Sequence, residues 1–285
     1  MRWNILFKSP VVHKWVFIPS KYNIYIMSTV IYPSPIFGPV HSRRLGVSLG
    51  INLMPADGKI CTFDCIYCEC GFNADHRPRL HRPTREEVRE KLEQQLVRMA
   101  GGGRLPDVLT FAGNGEPTAH PDFKAIIEDT IQLRNRHCPE ARVSVLSNAT
   151  LAAKPSVREA LLMVDNNILK LDTVNAEYIR RVNAPTGHYD VGEVVEALKS
   201  YHGHVIIQTM FMKGRDMHGV SVDNTGEEYV GPWIEAVKAI APQSVMVYTI
   251  DRETPDQALL KATHEELDAI VARVKACGIP ASASY

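Results

Sequence analysis

Four of the six cysteines fall within ten residues: Cys61, Cys65, Cys68 and Cys70. The first three stand as Cys61-Thr-Phe-Asp-Cys65-Ile-Tyr-Cys68, a C-x3-C-x2-C spacing. Clustered thiolates are ligands for zinc or for iron–sulfur clusters. Three of them leave a tetrahedral zinc site one ligand short, so a zinc knuckle here would have to borrow Cys70 or a histidine. A cubane cluster has four irons, and three cysteines leave one iron open to a small molecule. The single residue between Cys68 and Cys70 is tight spacing for both to ligate. Cys138 and Cys277 each follow a helical pattern and read as ordinary thiols. Six cysteines in 285 residues are too sparse for a disulfide framework, which points to a reducing, cytoplasmic setting.

Other chemistry-bearing residues sit where strand-like runs end. Thr110-Phe-Ala-Gly113-Asn-Gly115-Glu116-Pro117 is a glycine-rich turn with a carboxylate beside it. Such a turn lets backbone approach a ligand closely, and the carboxylate suits a cationic amine. Ser147 and Asn148 close the next run and could bond a ribose or a carboxylate, or cap a turn. Lys170 and Asp172 lie on one face by strand alternation, placed to meet a cofactor or each other. Gln208, Met210 and Met212 also share a face, with Lys213 at its end, and a Met stripe is more often packing than a site. Asp251 and Arg252 could bind substrate or close a loop by an ion pair. Arg43 and Arg44 could hold an anion bidentately. Arg77, Arg79, Arg82 and Arg85, with His76 and His81, form a local basic run that could touch phosphate or be a solvated face. His120, beside Pro121, reads as structural.

The elements that must position these residues are an alternation of strands and helices. Apolar, β-branched runs occur at Val47–Met54, Val108–Ala112, Val143–Ser147, Ile168–Leu171, Val205–Phe211 and Val245–Ile250. Thr84 with Glu87, and Thr263 with Glu266, have capping-box spacing ahead of helical apolar patterns. Further helices are expected near Asp122–Arg136, Ser156–Met163, Val191–Tyr201 and Glu227–Ile240. Such alternation implies parallel strands joined by right-handed crossovers. Six strand patterns predict an α/β fold, a partial (β/α)6 TIM-like barrel, with a doubly wound sheet as the other arrangement. In either, ligands gather at the carboxyl ends of the strands. The cysteine loop follows the first strand and lies at that end.

The cysteine spacing, with Tyr67 just before its last cysteine, resembles the radical S-adenosylmethionine superfamily. The resemblance implies that Cys61, Cys65 and Cys68 hold a 4Fe–4S cluster whose open iron is chelated by S-adenosylmethionine. It implies reductive cleavage to a 5′-deoxyadenosyl radical that abstracts hydrogen from a substrate, with electrons from a donor such as flavodoxin or ferredoxin. It also implies that Gly113, Gly115, Glu116 and Pro117 are a variant of the motif that meets the methionine amino group. Tyr67, Ser147, Asn148, Lys170 and Asp172 are the other expected cofactor contacts. Ser42-Arg-Arg-Leu-Gly46, Gly113-Asn-Gly-Glu-Pro-Thr118 and Tyr248-Thr-Ile-Asp-Arg252 extend the likeness over residues 36–256. They resemble a branch of iron–sulfur oxidoreductases related to wyosine-forming tRNA enzymes. Those enzymes hold a second cluster through upstream cysteines, and no cysteine precedes Cys61 here. The alternatives are a wyosine-type tRNA enzyme, an activase of glycyl-radical enzymes or, in a different class, a non-catalytic zinc or redox module.

Composition sets the outer bounds. Hydrophobic residues are 45% and charged residues 22%, ordinary globular usage that excludes a disordered tail or a coiled coil. Thirty-two basic and 32 acidic side chains cancel, so no global field favours RNA as the default substrate. The uncharged stretch 22–40 carries three prolines and several polar residues and does not match a membrane helix. We expect residues 1–35 to form an N-terminal extension, with translation beginning at Met27, and residues 36–285 to form one domain.

Overall fold

The computed structural model describes residues 29–42 and 46–285. In chain order its strands are β1 (Ile36–Ser42), β2 (Gly46–Ile51), β3 (Val108–Phe111), β4 (Arg142–Ser147), β5 (Asn166–Lys170), β6 (Ile206–Met210), β7 (Met212–Gly214), β8 (Ser244–Tyr248), β9 (Leu259–Lys261) and β10 (Ala281–Ser284). The helices are α1 (Arg85–Gly101), α2 (Phe123–His137), α3 (Pro155–Met163), α4 (Ala176–Tyr178), α5 (Val191–Lys199), α6 (Glu227–Ile240) and α7 (His264–Ala276). The main sheet has the order β1-β2-β3-β4-β5-β6-β8-β10, and its two end strands do not pair, so the barrel is open. Strands β2, β3, β4, β5, β6, β8 and β10 run parallel, while β1 pairs antiparallel with β2.

All six strands expected from the sequence are present, and the sheet adds two edges. At one edge β1 carries Pro39, whose missing N–H is tolerated on an edge strand, and a register shift between Phe37 and Val40. At the other, β10 is Ala281-Ser-Ala-Ser284, a sequence without β-branched or aromatic residues. Two expected ends are corrected. The first parallel strand stops at Ile51 rather than Met54, and Met212 belongs to β7 rather than to the strand carrying Gln208.

Alternation divides each parallel strand between two faces. Leu49, Ile51, Leu109, Phe111, Val143, Val145, Leu169, Ile207, Val245 and Val247 face the helices and belong to one continuous core. Three polar residues on that side are hydrogen-bonded: Asn167 and Thr209 donate to the backbone carbonyls of His204 and Leu171 at 2.9 and 2.8 Å, and Ser147 donates to Glu116 Oε1 at 2.8 Å. Both capping boxes form: Thr84 and Thr263 accept from the N–H groups of Glu87 and Glu266, each at 3.2 Å. They fix the starts of α1 and α7, which press Val88, Leu92 and Leu96, and Leu267, Ile270 and Val274, into the same core.

The other, concave face carries Ser48, Thr110, Ser144, Asn166, Gln208, Ser244, Ser282 and Ser284, interleaved with Leu146, Ile168, Ile206 and Met246. A closed barrel fills this space with layered branched aliphatic side chains. Here Ser48 and Thr110 share a hydrogen bond of 2.8 Å, and Asn166 donates to Ser144 Oγ at 2.8 Å. At the amino ends of the strands this face opens into a hollow of about 490 Å³ lined by Arg142, Asn166, Ile206 and Ser244 among others.

Candidate functional site

The cysteine loop is stitched along both sides to neighbouring strand ends. On one side Ile60 N–H donates to Asn114 O at 3.0 Å and Glu116 N–H donates to Ile60 O at 3.1 Å. Gly115 permits that contact: its φ is +139°, and a Cβ there would sit 1.8 Å from Ile60 O. Gly113, at φ +124°, lies against the Asn52 side chain with a similar restriction. On the other side Asp64 N–H donates to Asn183 O at 2.9 Å and Ile66 N–H to Val182 O at 3.0 Å. Both partners lie in a π-helical turn, Ile179–Asn183, that continues α4. Such turns recur at functional sites. Asn73 closes the loop on itself: its Oδ1 accepts from Cys61 N–H at 3.1 Å, and its Nδ2 donates to Cys61 O and Phe63 O at 3.2 and 3.1 Å.

Cys61, Cys65 and Cys68 are free thiols, Cys65 buried and the other two partly buried. Asn148 Nδ2 approaches Cys61 Sγ at 3.6 Å, and Asn183 Nδ2 approaches Cys65 Sγ at 3.6 Å. Burial pushes the Cys65 thiol up to about 11 and raises Cys61 as well. Cys68 is pulled down to about 6, chiefly by a hydrogen bond from Cys70. Cys70 is buried and also lies 3.5 Å from the Gly113 carbonyl, so it backs Cys68 against the glycine turn. Among the described residues, no three His, Cys, Asp or Glu side chains converge closely enough to hold one metal ion. A cluster takes one thiolate per iron and so spreads its ligands over its corners. The donor set fits such a group: three unpaired thiols on one loop, in a site that also encloses a cation, Lys59.

Lys59 was not among the residues singled out from the sequence. Its side chain is 1% exposed. Its Nζ donates to Gly71 O at 2.5 Å and to Asp64 Oδ1 at 3.3 Å. Burial disfavours its charge, but the three cysteine sulfurs and Asp64 outweigh this and hold its pKa above the usual lysine value.

Glu116 is fully buried, with four hydrogen bonds from the chain. Its Oε1 accepts from Thr118 N–H, Thr118 Oγ1 and Ser147 Oγ at 3.0, 2.6 and 2.8 Å. Its Oε2 accepts from Asn148 N–H at 2.7 Å. Burial raises its pKa, and these donors oppose the rise. One carboxylate therefore joins the turn after β3, opening at Pro117, to the end of β4. Asn148 extends the join to the cysteine loop by donating to Thr62 Oγ1 at 2.8 Å.

A second polar knot forms at the ends of β5, β6 and β8. Tyr67 donates to Asp172 Oδ2, and Asn183 Nδ2 bonds both groups, at 2.9 Å to the phenol and 2.8 Å to the carboxylate. Burial, then the Asp172 charge, raises the Tyr67 phenol well above its ordinary value, so it stays a donor. Met210 N–H donates to Asp172 Oδ1 at 2.9 Å. Lys170 Nζ lies 3.5 Å from the same oxygen, donates to Tyr248 OH at 2.8 Å and stands over the Tyr67 ring at 5.1 Å. Burial would lower the Lys170 pKa, but Asp172, Tyr248 and Cys65 together raise it. Lys170 and Asp172 thus meet as alternation implied, with Asn183 as a third member that only the fold brings in.

The remaining candidates disperse. Arg252 closes a loop rather than facing the cysteines: it bonds Glu69 Oε2 at 2.6 Å and Tyr32 OH at 2.8 Å, strapping the segment after β8 to the cysteine loop. Lys213 pairs with Glu266 at 2.6 Å, and Met210 and Met212 are packing. Arg85 is engaged by Asp129 at 2.7 Å and leaves the basic run. His120 bonds Pro83 O at 2.9 Å, as a structural residue does. Cys138 is buried in the core, and Cys277 is exposed at the end of α7. Residues 1–28, with the expected start at Met27, and Arg43 and Arg44 lie outside the described residues.

An open parallel α/β barrel with a three-cysteine loop after its first parallel strand defines a class, the radical enzymes built on S-adenosylmethionine. Residues 57–222 match the family model of the radical SAM superfamily, more than half of the chain. The chain belongs to that superfamily and is an enzyme of unknown substrate. It is 29% identical over 238 residues to a protein of Brachyspira hyodysenteriae named GTPase Obg, covering 82% of this chain and 32% of that one. It is 30% identical over 198 residues to a UPF0026 protein of Methanocaldococcus jannaschii, covering 67% of this chain and 58% of that one. The chain thus spans less than two thirds of either relative. A radical SAM methyltransferase from Sphaerobacter thermophilus superposes with a TM-score of 0.60 at 15% identity, over 84% of this chain and 66% of that one, which supports the fold. Among the described residues no helix is long and apolar enough to cross a membrane.

Proposed function

We propose that Cys61, Cys65 and Cys68 hold a 4Fe–4S cluster and that S-adenosylmethionine lies beside it across the carboxyl ends of the parallel strands. The observation that carries this reading is the joining of the cysteine loop, the glycine turn and the end of β4 through Ile60, Glu116 and Asn148. Bound together, the two groups supply a one-electron cleavage of the sulfonium bond and a 5′-deoxyadenosyl radical that takes hydrogen from a substrate. The protein supplies orientation and exclusion of water. Gly113 and Gly115 let the backbone approach the methionine end, and Pro117 starts the short helix that fixes Glu116. Glu116 Oε2 accepts a single bond from the chain, which leaves it capacity for the amino group. Ser147 and Asn148 face the ribose or carboxylate. Tyr67, Lys170 and Asp172, locked by Asn183, wall the far side of the site.

The substrate lies beside S-adenosylmethionine at the carboxyl ends of the strands, on the polar concave side of the sheet. Electrons come from a donor such as flavodoxin or ferredoxin. Unpaired thiols of this kind persist in a reducing compartment, so the protein works in the cytoplasm. The test is hydrogen transfer. Anaerobically reconstituted enzyme is reduced with S-adenosylmethionine in fractionated extract from deuterium-labelled cells. Deuterium in the 5′-deoxyadenosine, following one fraction, is the expected result. Product that forms at full rate yet never acquires deuterium from any fraction would overturn the reading that the radical takes hydrogen from a substrate.

A further inference from the structure

Lys59 is a buried cation that the chemistry above leaves without a role. An ammonium has three donors. Two are used, by Gly71 O at 2.5 Å and Asp64 Oδ1 at 3.3 Å, and the third has no acceptor among the described residues. Its carboxylate partner is shared and more exposed: Asp64 Oδ1 also accepts from Asn73 N–H at 2.8 Å, and the Asp64 side chain is 26% exposed against 1% for Lys59. Lys59 stands two residues before Cys61, and both of its acceptors belong to the loop that carries the three cysteines. A group tied to Asp64, between Cys61 and Cys65, and to Gly71, beyond Cys68, cannot leave the loop without stranding a charge in low dielectric.

We propose that Lys59 is a fixed counter-charge that raises the reduction potential of the cluster held by Cys61, Cys65 and Cys68. The inference rests on the proposed cluster. Three thiolates make the cluster site net negative, and each added electron deepens that charge. A permanent cation in the same poorly screened surroundings stabilises the reduced form more than the oxidised one. Lys59 is here a positioning residue: it touches no substrate and acts through the cluster's charge.

The experiment is a potentiometric titration of the anaerobically reconstituted enzyme, the reduced cluster being read by electron paramagnetic resonance. Wild type is compared with Lys59→Met and Lys59→Gln, and iron and sulfide are counted in each. The Gln variant keeps a donor for Gly71 O but no charge. At the wild-type midpoint, the ratio of reduced to oxidised cluster is expected to fall about tenfold in both variants, a shift of about 59 mV for one electron. A Gln variant that restores the wild-type midpoint would show that Lys59 acts through its hydrogen bond and overturn the proposal. So would an unchanged midpoint in a Met variant of full iron content, or loss of iron from both variants, which would make Lys59 a structural strut. Wild-type protein that holds no iron would instead sink the cluster reading itself.

Discussion

The two faces of the same parallel strands do opposite things. On the convex side every strand contributes aliphatic or aromatic residues to one continuous core, and its polar side chains are tied down, Asn167 and Thr209 to backbone carbonyls and Ser147 to Glu116. On the concave side serines, Thr110, Asn166 and Gln208 alternate with those core residues, and part of the space is hollow. Each strand thus gives one set of side chains to the core and presents the other, more polar set to the concave side. The cysteine loop lies at the strand ends, held by backbone and amide hydrogen bonds and by a second, smaller apolar cluster in which Phe63, Ile66 and Tyr67 pack with Tyr178, Val182 and Met210.

The largest expected contrast is chemical. Replacing any one of Cys61, Cys65 or Cys68 by Ala is expected to abolish iron retention and cofactor cleavage while far-ultraviolet circular dichroism stays native, because none of the three belongs to the main core between sheet and helices. The matched replacement of Cys277, exposed at a helix end, leaves iron content unchanged. On the convex face Phe111 is fully buried and meets Phe123 edge to face, with ring centroids 6.2 Å apart. Phe111→Ala should cost about 3–5 kcal/mol in urea unfolding. Thr263→Ala removes a capping bond and should cost about 1 kcal/mol. Smallest is Gln208→Leu on the concave face. Gln208 is a mostly buried residue whose side-chain amide makes no hydrogen bond among the described residues, so losing it should leave stability within about 0.5 kcal/mol or raise it. A large loss from Gln208→Leu would erase the distinction between the faces.

The parallel strands were legible because buried strands read as β-branched runs, and the capped helices because their boxes are local. β10 was not, since Ala and Ser carry no strand signal and its place depends on pairing with β8. β1 was hidden by Gly38 and Pro39, which mark a turn more often than an edge strand. The cysteine spacing and the Lys170–Asp172 face could be read directly, because both are matters of short spacing. Asn183 could not: it reaches Cys65 and Tyr67 from more than a hundred residues away, through a π-helical turn. Lys59 looks like any charged loop residue until the loop folds over it. Arg85 reads in the sequence as part of a basic run, a solvated face or a phosphate contact, and only the packing of α1 on α2 brings Asp129 to it.

The most direct test of the account is cofactor cleavage itself. Anaerobically reconstituted protein carrying about four irons per chain should, on reduction with S-adenosylmethionine, form 5′-deoxyadenosine and methionine in equal amounts. The Cys61→Ala, Cys65→Ala, Cys68→Ala triple variant should form neither. Protein that holds its full iron and sulfide yet yields no 5′-deoxyadenosine would contradict the account.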